Sequence, residues 1–150
     1  MPTDLSSSLH MDGIRIVKPE EFDSDTAQTP GSKRLAAMPT KSSNSQMWAG
    51  LFFVEPKSQT GIHHHGEQET IAYVLEGQAL IRWGEHGEFQ AIANRGDFIR
   101  VPPFLPHRET NPSRSAVFSW IVVRSTPQPI VVNLPADYWD RDYEQAGDFA

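Results

Sequence analysis

The stretch from Met47 to Leu134 constrains the fold more than any other part of this chain. It is a series of short apolar or alternating runs: MWAGLFFV, GIHHH, TIAYVL, ALIRW, EFQAIA, DFIRVP, AVFSWIVV and PIVVNL. Turn signals separate them, among them Pro56-Lys57, Glu76-Gly77, Gly84-Glu85, Arg95-Gly96, Pro102-Pro103 and Asn111-Pro112. Runs this short, rich in Val, Ile, Phe and Trp, read as strands rather than helices. Regular punctuation of this kind predicts an all-β, single-domain antiparallel barrel or sandwich. In AVFSWIVV, Phe118, Trp120 and Val122 share one face and Val117, Ser119 and Ile121 the other, one lining the interior and the other packing on a second sheet or a subunit.

The flanks differ. Residues 1–45 are rich in Ser, Thr, Pro, Asp and Lys, with apolar islands at Ile14–Val17 and Leu35–Met38. They read as an N-terminal arm with short strands, able to lie on a partner subunit. Residues 46–134 form the barrel, and the acidic, aromatic residues 135–150 form a C-terminal tail. At 150 residues, the chain has room for one ordinary core.

Composition removes several classes of function. There is no cysteine, which excludes disulfides, thiol nucleophiles and cysteine-ligated metals. Asp and Glu number 19 against 13 Lys and Arg, and a net charge of −6 argues against a nucleic-acid partner. No apolar run reaches membrane-spanning length, and the first residues lack the pattern of a secretory signal. These features lead to the expectation of a cytoplasmic protein.

The chemistry-bearing residues cluster in GIHHHGEQET and GDFIRVPPFLPHRETN. In a strand, His63 and His65 point one way and His64 the other. Two imidazoles on one face can chelate a metal. Arg82 and Arg100 alternate with apolar neighbours, and if either pointed inward it would clamp an anionic substrate. His10 and His86 lie in arm or loop and receive no role. Phe104 sits in a loop three residues before His107, as lid or core cover.

The two blocks resemble the paired motifs of the cupin superfamily, in particular its small single-domain conserved-barrel members. The second motif, G-x5-P-x-G-x2-H-x3-N, matches at Gly96, Pro102, His107 and Asn111, with Phe104 in place of the inner glycine. The first, G-x5-H-x-H-x3,4-E-x6-G, matches at His63, His65 and Gly77, with Lys57 in place of the opening glycine. The resemblance implies a jelly-roll barrel, covering roughly residues 47–125, with one divalent transition metal (Fe, Zn, Mn or Ni) in its mouth. His63, His65 and His107 map onto the family's three histidines.

The fourth ligand is ambiguous by one residue. Counting forward from His65 selects Glu69; counting back from Gly77 selects Thr70. A bulge after Gly66 would turn Glu69 inward, and a regular strand would turn Thr70 inward. Glu69 is the expected ligand, with Gln68 and Thr70 as alternatives. The resemblance implies a metalloenzyme acting on a small molecule, possible reactions being dioxygenation with iron or isomerase, cyclase or lyase chemistry with a redox-inert metal. The competing reading is a barrel that binds a sugar or organic acid without chemistry. A homodimer, which would cover exposed strand edges, is also expected.

Overall fold

A computed structural model describes residues 13–40 and 44–141. The punctuated runs become strands: β1 (Lys33–Met38), β2 (Trp48–Val54), β3 (His63–His64), β4 (Thr70–Glu76), β5 (Gln78–Trp83), β6 (Phe89–Asn94), β7 (Phe98–Val101), β8 (His107–Thr110), β9 (Phe118–Arg124) and β10 (Val132–Asn133). They form two five-stranded sheets with antiparallel pairings, ordered β1-β2-β9-β4-β7 and β10-β3-β8-β5-β6. Among the described residues the only helical elements are single turns, at Pro19–Glu21 and Tyr138–Asp140.

The facing walls bury alternate residues, as a pleated strand requires. In the first sheet, Phe52 and Val54 of β2, Ala72 and Val74 of β4, and Phe118, Trp120 and Val122 of β9 are all buried. Ala79 and Ile81 of β5 and Ala93 of β6 meet them from the second sheet. Removing a large apolar side chain of this kind from water contributes roughly 1.5–3 kcal/mol, so this cluster is the main force closing the barrel. Gly50 has a specific use. A Cβ there would collide with the Leu35 carbonyl oxygen and the Trp48 ring, so its absence lets that indole fold back over β2.

The flanking segments divide. Leu35–Met38 lies in β1, the outer strand of the first sheet, paired with β2 on one side and bridged by Asp23 at Ala36 on the other. Gln28 secures it from the side: its Oε1 accepts from the Arg34 amide at 2.8 Å and its Nε2 donates to the Arg34 carbonyl at 3.0 Å. The second expected island, Ile14–Val17, forms no strand, and Ile14 and Ile16 are exposed. Nothing else in the described chain packs on them to repay ordering. At the other end Trp139 is buried against the outer face of the second sheet, its indole N–H donating to the Gly84 carbonyl at 2.8 Å. It stands beside Arg82 and Arg108, which are opposite each other on β5 and β8. No helix among the described residues is long and apolar enough to cross a membrane.

Candidate metal centre

Strand parity builds the site. His63 opens β3, and its parity carries on into His65 just past the strand, so that both side chains are buried. His107 opens β8 directly opposite His63 in the register. One ring nitrogen from each of His63, His65 and His107 lies within 4.8 Å of the other two. Each ring is oriented by a backbone carbonyl 2.8 Å from its Nδ1: Gly61 for His63, Ile130 for His65 and Leu105 for His107. A carbonyl accepts only from N–H, so the ring proton belongs on Nδ1 and the lone pair on Nε2. Carbonyl partners of this kind are what orient metal-ligating histidines. Burial keeps His63 and His65 neutral. Desolvation, then the neighbouring His107, pulls His63 down to about 3, and desolvation with Arg124 drives His65 still lower.

A carboxylate completes the cluster. Glu109 follows His107 by two residues on β8 and is buried. Its Oε1 lies 3.3 Å from His107 Nε2, and its Oε2 lies 3.6 Å from His63 Nε2 and 3.1 Å from the Thr60 hydroxyl that donates to it. Burial alone would raise its pKa. The facing His107 and His63 rings and the Arg34 guanidinium more than offset this and hold it well below the usual carboxylate range. An ionised oxygen thus faces nitrogen lone pairs, and the His63 and His107 Nε2 atoms have no hydrogen-bond partner. Acceptors crowded together in a buried site require a cation or a proton between them. Three imidazoles and one carboxylate suit a divalent transition metal, and the set fits the metal that the sequence led us to expect.

The other candidate ligands lie elsewhere. Glu69, the expected fourth ligand, is half-exposed and accepts from Arg100 Nε at 2.6 Å on the surface. The reason is register. Thr70, Ala72 and Val74 take the inward positions of β4, and the strand's irregularity against β9 falls at Val74/Glu76, not after Gly66. Thr70 is therefore buried, and its hydroxyl is unpartnered. Gln68 is a brace. Its Nε2 donates to the Gln128 carbonyl at 2.7 Å and its Oε1 accepts from the Ile130 amide at 2.8 Å, holding the segment whose carbonyl orients His65.

His64 turns from the centre, accepting the Gly66 amide at 3.0 Å beside the Phe104 ring. Arg82 is occupied by the Gly87 carbonyl and Trp139, and Arg100 by Glu69, so neither faces the interior. His10 lies outside the described residues. Phe104 is exposed and, like Lys57, has a φ of 60°. At the two places where the resembled motif has glycine, this chain keeps the left-handed backbone without the glycine. Asn111 ties loops together, donating to the Val54 and Ala116 carbonyls at 2.9 and 2.8 Å. A cavity of about 450 Å³ reaches His107 between the outer strands β6 and β7, lined also by Ile81, Trp83, Ala93, Ile99 and Val101.

Glu109 was legible by the same i, i+2 argument that pairs His63 with His65. It was not among the expected ligands. Two further interior residues, Arg34 and Arg124, were missed as well. Both are buried, and desolvation pulls them down to about 10 and about 9, so both stay cationic at neutral pH.

The cupin domain family matches residues 50–124. The chain belongs to the cupin family. No curated protein matches it. Among solved structures it is similar to a conserved protein with a double-stranded β-helix domain from Klebsiella pneumoniae, at 16% identity over 82% of this chain and 99% of that one, with a TM-score of 0.61. It is also similar to the polyketide cyclase RemF of Streptomyces resistomycificus, at 20% identity over 89% of this chain and 94% of that one, with a TM-score of 0.64. A mutant oxalate decarboxylase of Bacillus subtilis is 19% identical over 73% of this cupin but only 30% of its own length, with a TM-score of 0.60. These likenesses establish a shared fold.

Proposed function

We propose that this cupin is a metalloenzyme that holds one divalent transition metal at His63, His65 and His107 and acts on a small oxygen-bearing molecule. The observation that carries the reading is the convergence of unprotonated ring nitrogens and an ionised Glu109 in a buried site. A bound dication supplies Lewis acidity there, and iron or manganese adds one-electron chemistry. The protein's part is to orient the three imidazoles through their backbone carbonyls, to lower the net charge with Glu109, and to exclude water behind the apolar wall. Three or four protein ligands leave coordination positions for a substrate, which distinguishes a catalytic from a structural site. Dioxygenation with iron is the preferred chemistry. A redox-inert isomerase, cyclase or lyase is the alternative, and its support is the likeness to a polyketide cyclase.

The test is metal content of untagged protein, purified without chelator, beside His107→Ala. About one metal per chain, lost in the variant, is the expected result. Equal trace metal in both would refute the site. Iron would direct the next experiment to oxygen-consumption screens, and zinc, nickel or manganese to carbonyl substrates.

We also propose that the cupin pairs with a second copy. Phe89, Ile92 and Phe98 stand exposed on the outer strands β6 and β7, where a partner would cover them. Light scattering should give a dimer mass, and a monodisperse monomer would sink the proposal.

A further inference from the structure

Two arginines are buried in the barrel without a counterion in contact. Arg34 projects from β1 and Arg124 from β9, both in the first sheet and both almost inaccessible, at 1% and 2% exposure. Among the described residues neither forms an ion pair, and the Nε and Nη1 of each lack a hydrogen-bond partner. Burying a guanidinium with its donors unmet is costly, and native structures rarely do so without a reason.

The way each guanidinium is held supplies that reason. Arg34 lies over the Phe52 ring and Arg124 over the Trp48 ring, each with its central carbon 5.0 Å from the ring centroid. Aromatic rings cover the flat faces and leave the N–H edges free. Gln28 clamps the backbone of Arg34, and the missing Cβ at Gly50 makes room for the indole under Arg124. The edges are thus pre-positioned rather than left to wander. Further unmet donors lie on the same wall. Trp120 Nε1, in the cross-strand row of Arg34 and Phe52, has no partner, and neither has the Thr70 hydroxyl, opposite Arg124 in the register.

The charge balance points the same way. Glu109 is the only buried carboxylate among the described residues, and it stands against two buried guanidiniums before any metal is added. A dication makes the interior more positive still. The group that would satisfy both the charge and the empty N–H edges is an oxyanion. A planar carboxylate matches the guanidinium fork in two parallel hydrogen bonds.

We propose that Arg34 and Arg124 form an anion seat that binds a carboxylate of a small organic acid, so that the substrate class is a carboxylic acid. The seat belongs to the first sheet, and the histidines and Glu109 lie on or beside strands of the second. Placing the ligand's other end at the metal rests on the function proposed above. The seat itself does not.

The experiment titrates malonate into metal-free and zinc-loaded protein by calorimetry, with neutral malonamide and inorganic phosphate as controls. Malonate should bind both forms, more tightly with zinc, and malonamide should not bind the metal-free form. Arg34→Met and Arg124→Met keep length and ring contact but remove the charge. Each should weaken malonate at least tenfold, leave zinc content unchanged, and melt no lower than wild type without anion, because replacing an unpaired buried charge by an apolar side chain relieves the fold. An arginine with a purely structural role would show a lower melting temperature instead, which overturns the proposal. Arg34→Lys retains a charge without the fork and should bind malonate less tightly than wild type. Unchanged malonate affinity in the variants, or tighter binding of phosphate than of malonate, also overturns it. Arginine-dependent malonate binding in a protein that takes no zinc would leave the seat standing and remove the metal reading. Zinc binding without arginine-dependent malonate binding would do the reverse.

Discussion

Replacing Glu109 by glutamine tests whether its charge serves the metal. The substitution preserves volume and the oxygen that accepts from Thr60, and the new amide can donate to the Nε2 of His107 or His63, 3.3 and 3.6 Å from the present oxygens. The fold therefore survives, and the change is one of charge. At an effective dielectric of about 20, unit charges 4 Å apart interact by roughly 4 kcal/mol, and a dication doubles this. Much of that is offset by the desolvation of the carboxylate and by the amide dipole. Losing a group that supports bound metal typically costs 10–100-fold in affinity, or roughly 1.4–3 kcal/mol. For a chain of this size each kcal/mol moves the midpoint by about 2–4 °C, so the rise in Tm that zinc produces should shrink by roughly 3–12 °C. Competition titration against a fluorescent zinc chelator gives the affinity and scanning calorimetry gives the shift. Zinc affinity equal to wild type would refute the argument and leave Glu109 as a counter-charge for the arginines alone.

Other perturbations follow from the same geometry. His63 is depressed from its ordinary value to about 3, so the unfolded chain binds the extra proton first and stability of the metal-free protein falls as pH drops from about 6.5 towards 3. Glu109, also depressed, adds stability above its unfolded value near 4.5 that is lost on further acidification. Urea unfolding at a series of pH values should show this decline, and a flat profile between pH 6.5 and 4 would contradict it. Trp139→Ala removes a buried indole, its hydrogen bond to Gly84 and its contacts with Arg82 and Arg108, and should cost about 3–5 kcal/mol. Calorimetry showing less than about 1 kcal/mol would mean that the C-terminal turn is not held as described. Lys57→Gly relieves a left-handed residue worth roughly 1–2 kcal/mol and adds up to about 1 kcal/mol of unfolded-chain entropy. Its melting temperature should stay level or rise by a few degrees, and a clear fall would refute the backbone argument.

The barrel was legible because its signals are local. Alternation in WAGLFFV and FSWIVV dictates which residues face inward, and parity alone put His63 with His65 and turned His64 away. His107 needed the motif, since its partner His63 is distant in sequence. Glu69 went astray because a single residue of register reverses a strand's faces, and the loop after Gly66 carries no local sign of which parity holds. Arg34 was not legible at all. It sits in a polar arm, and its burial depends on non-local facts: β1 pairing with β2, the Gln28 clamp, and a phenylalanine from the neighbouring strand beneath the guanidinium. Arg82 and Arg100 show the converse, since alternation with apolar neighbours did not say which of two faces was the core.

The proposed metal ligands stand on or beside β3 and β8, whereas the arginines of the proposed seat stand on β1 and β9 of the opposite wall. What the barrel grips and what it does to the captive are consequently written in separate stretches of chain. Under drift or design, one wall can be rewritten while the other is left alone. A descendant of this barrel could exchange its preferred acid by altering the arm strand and β9, with the ion-holding loops untouched, or change its ion and retain its appetite.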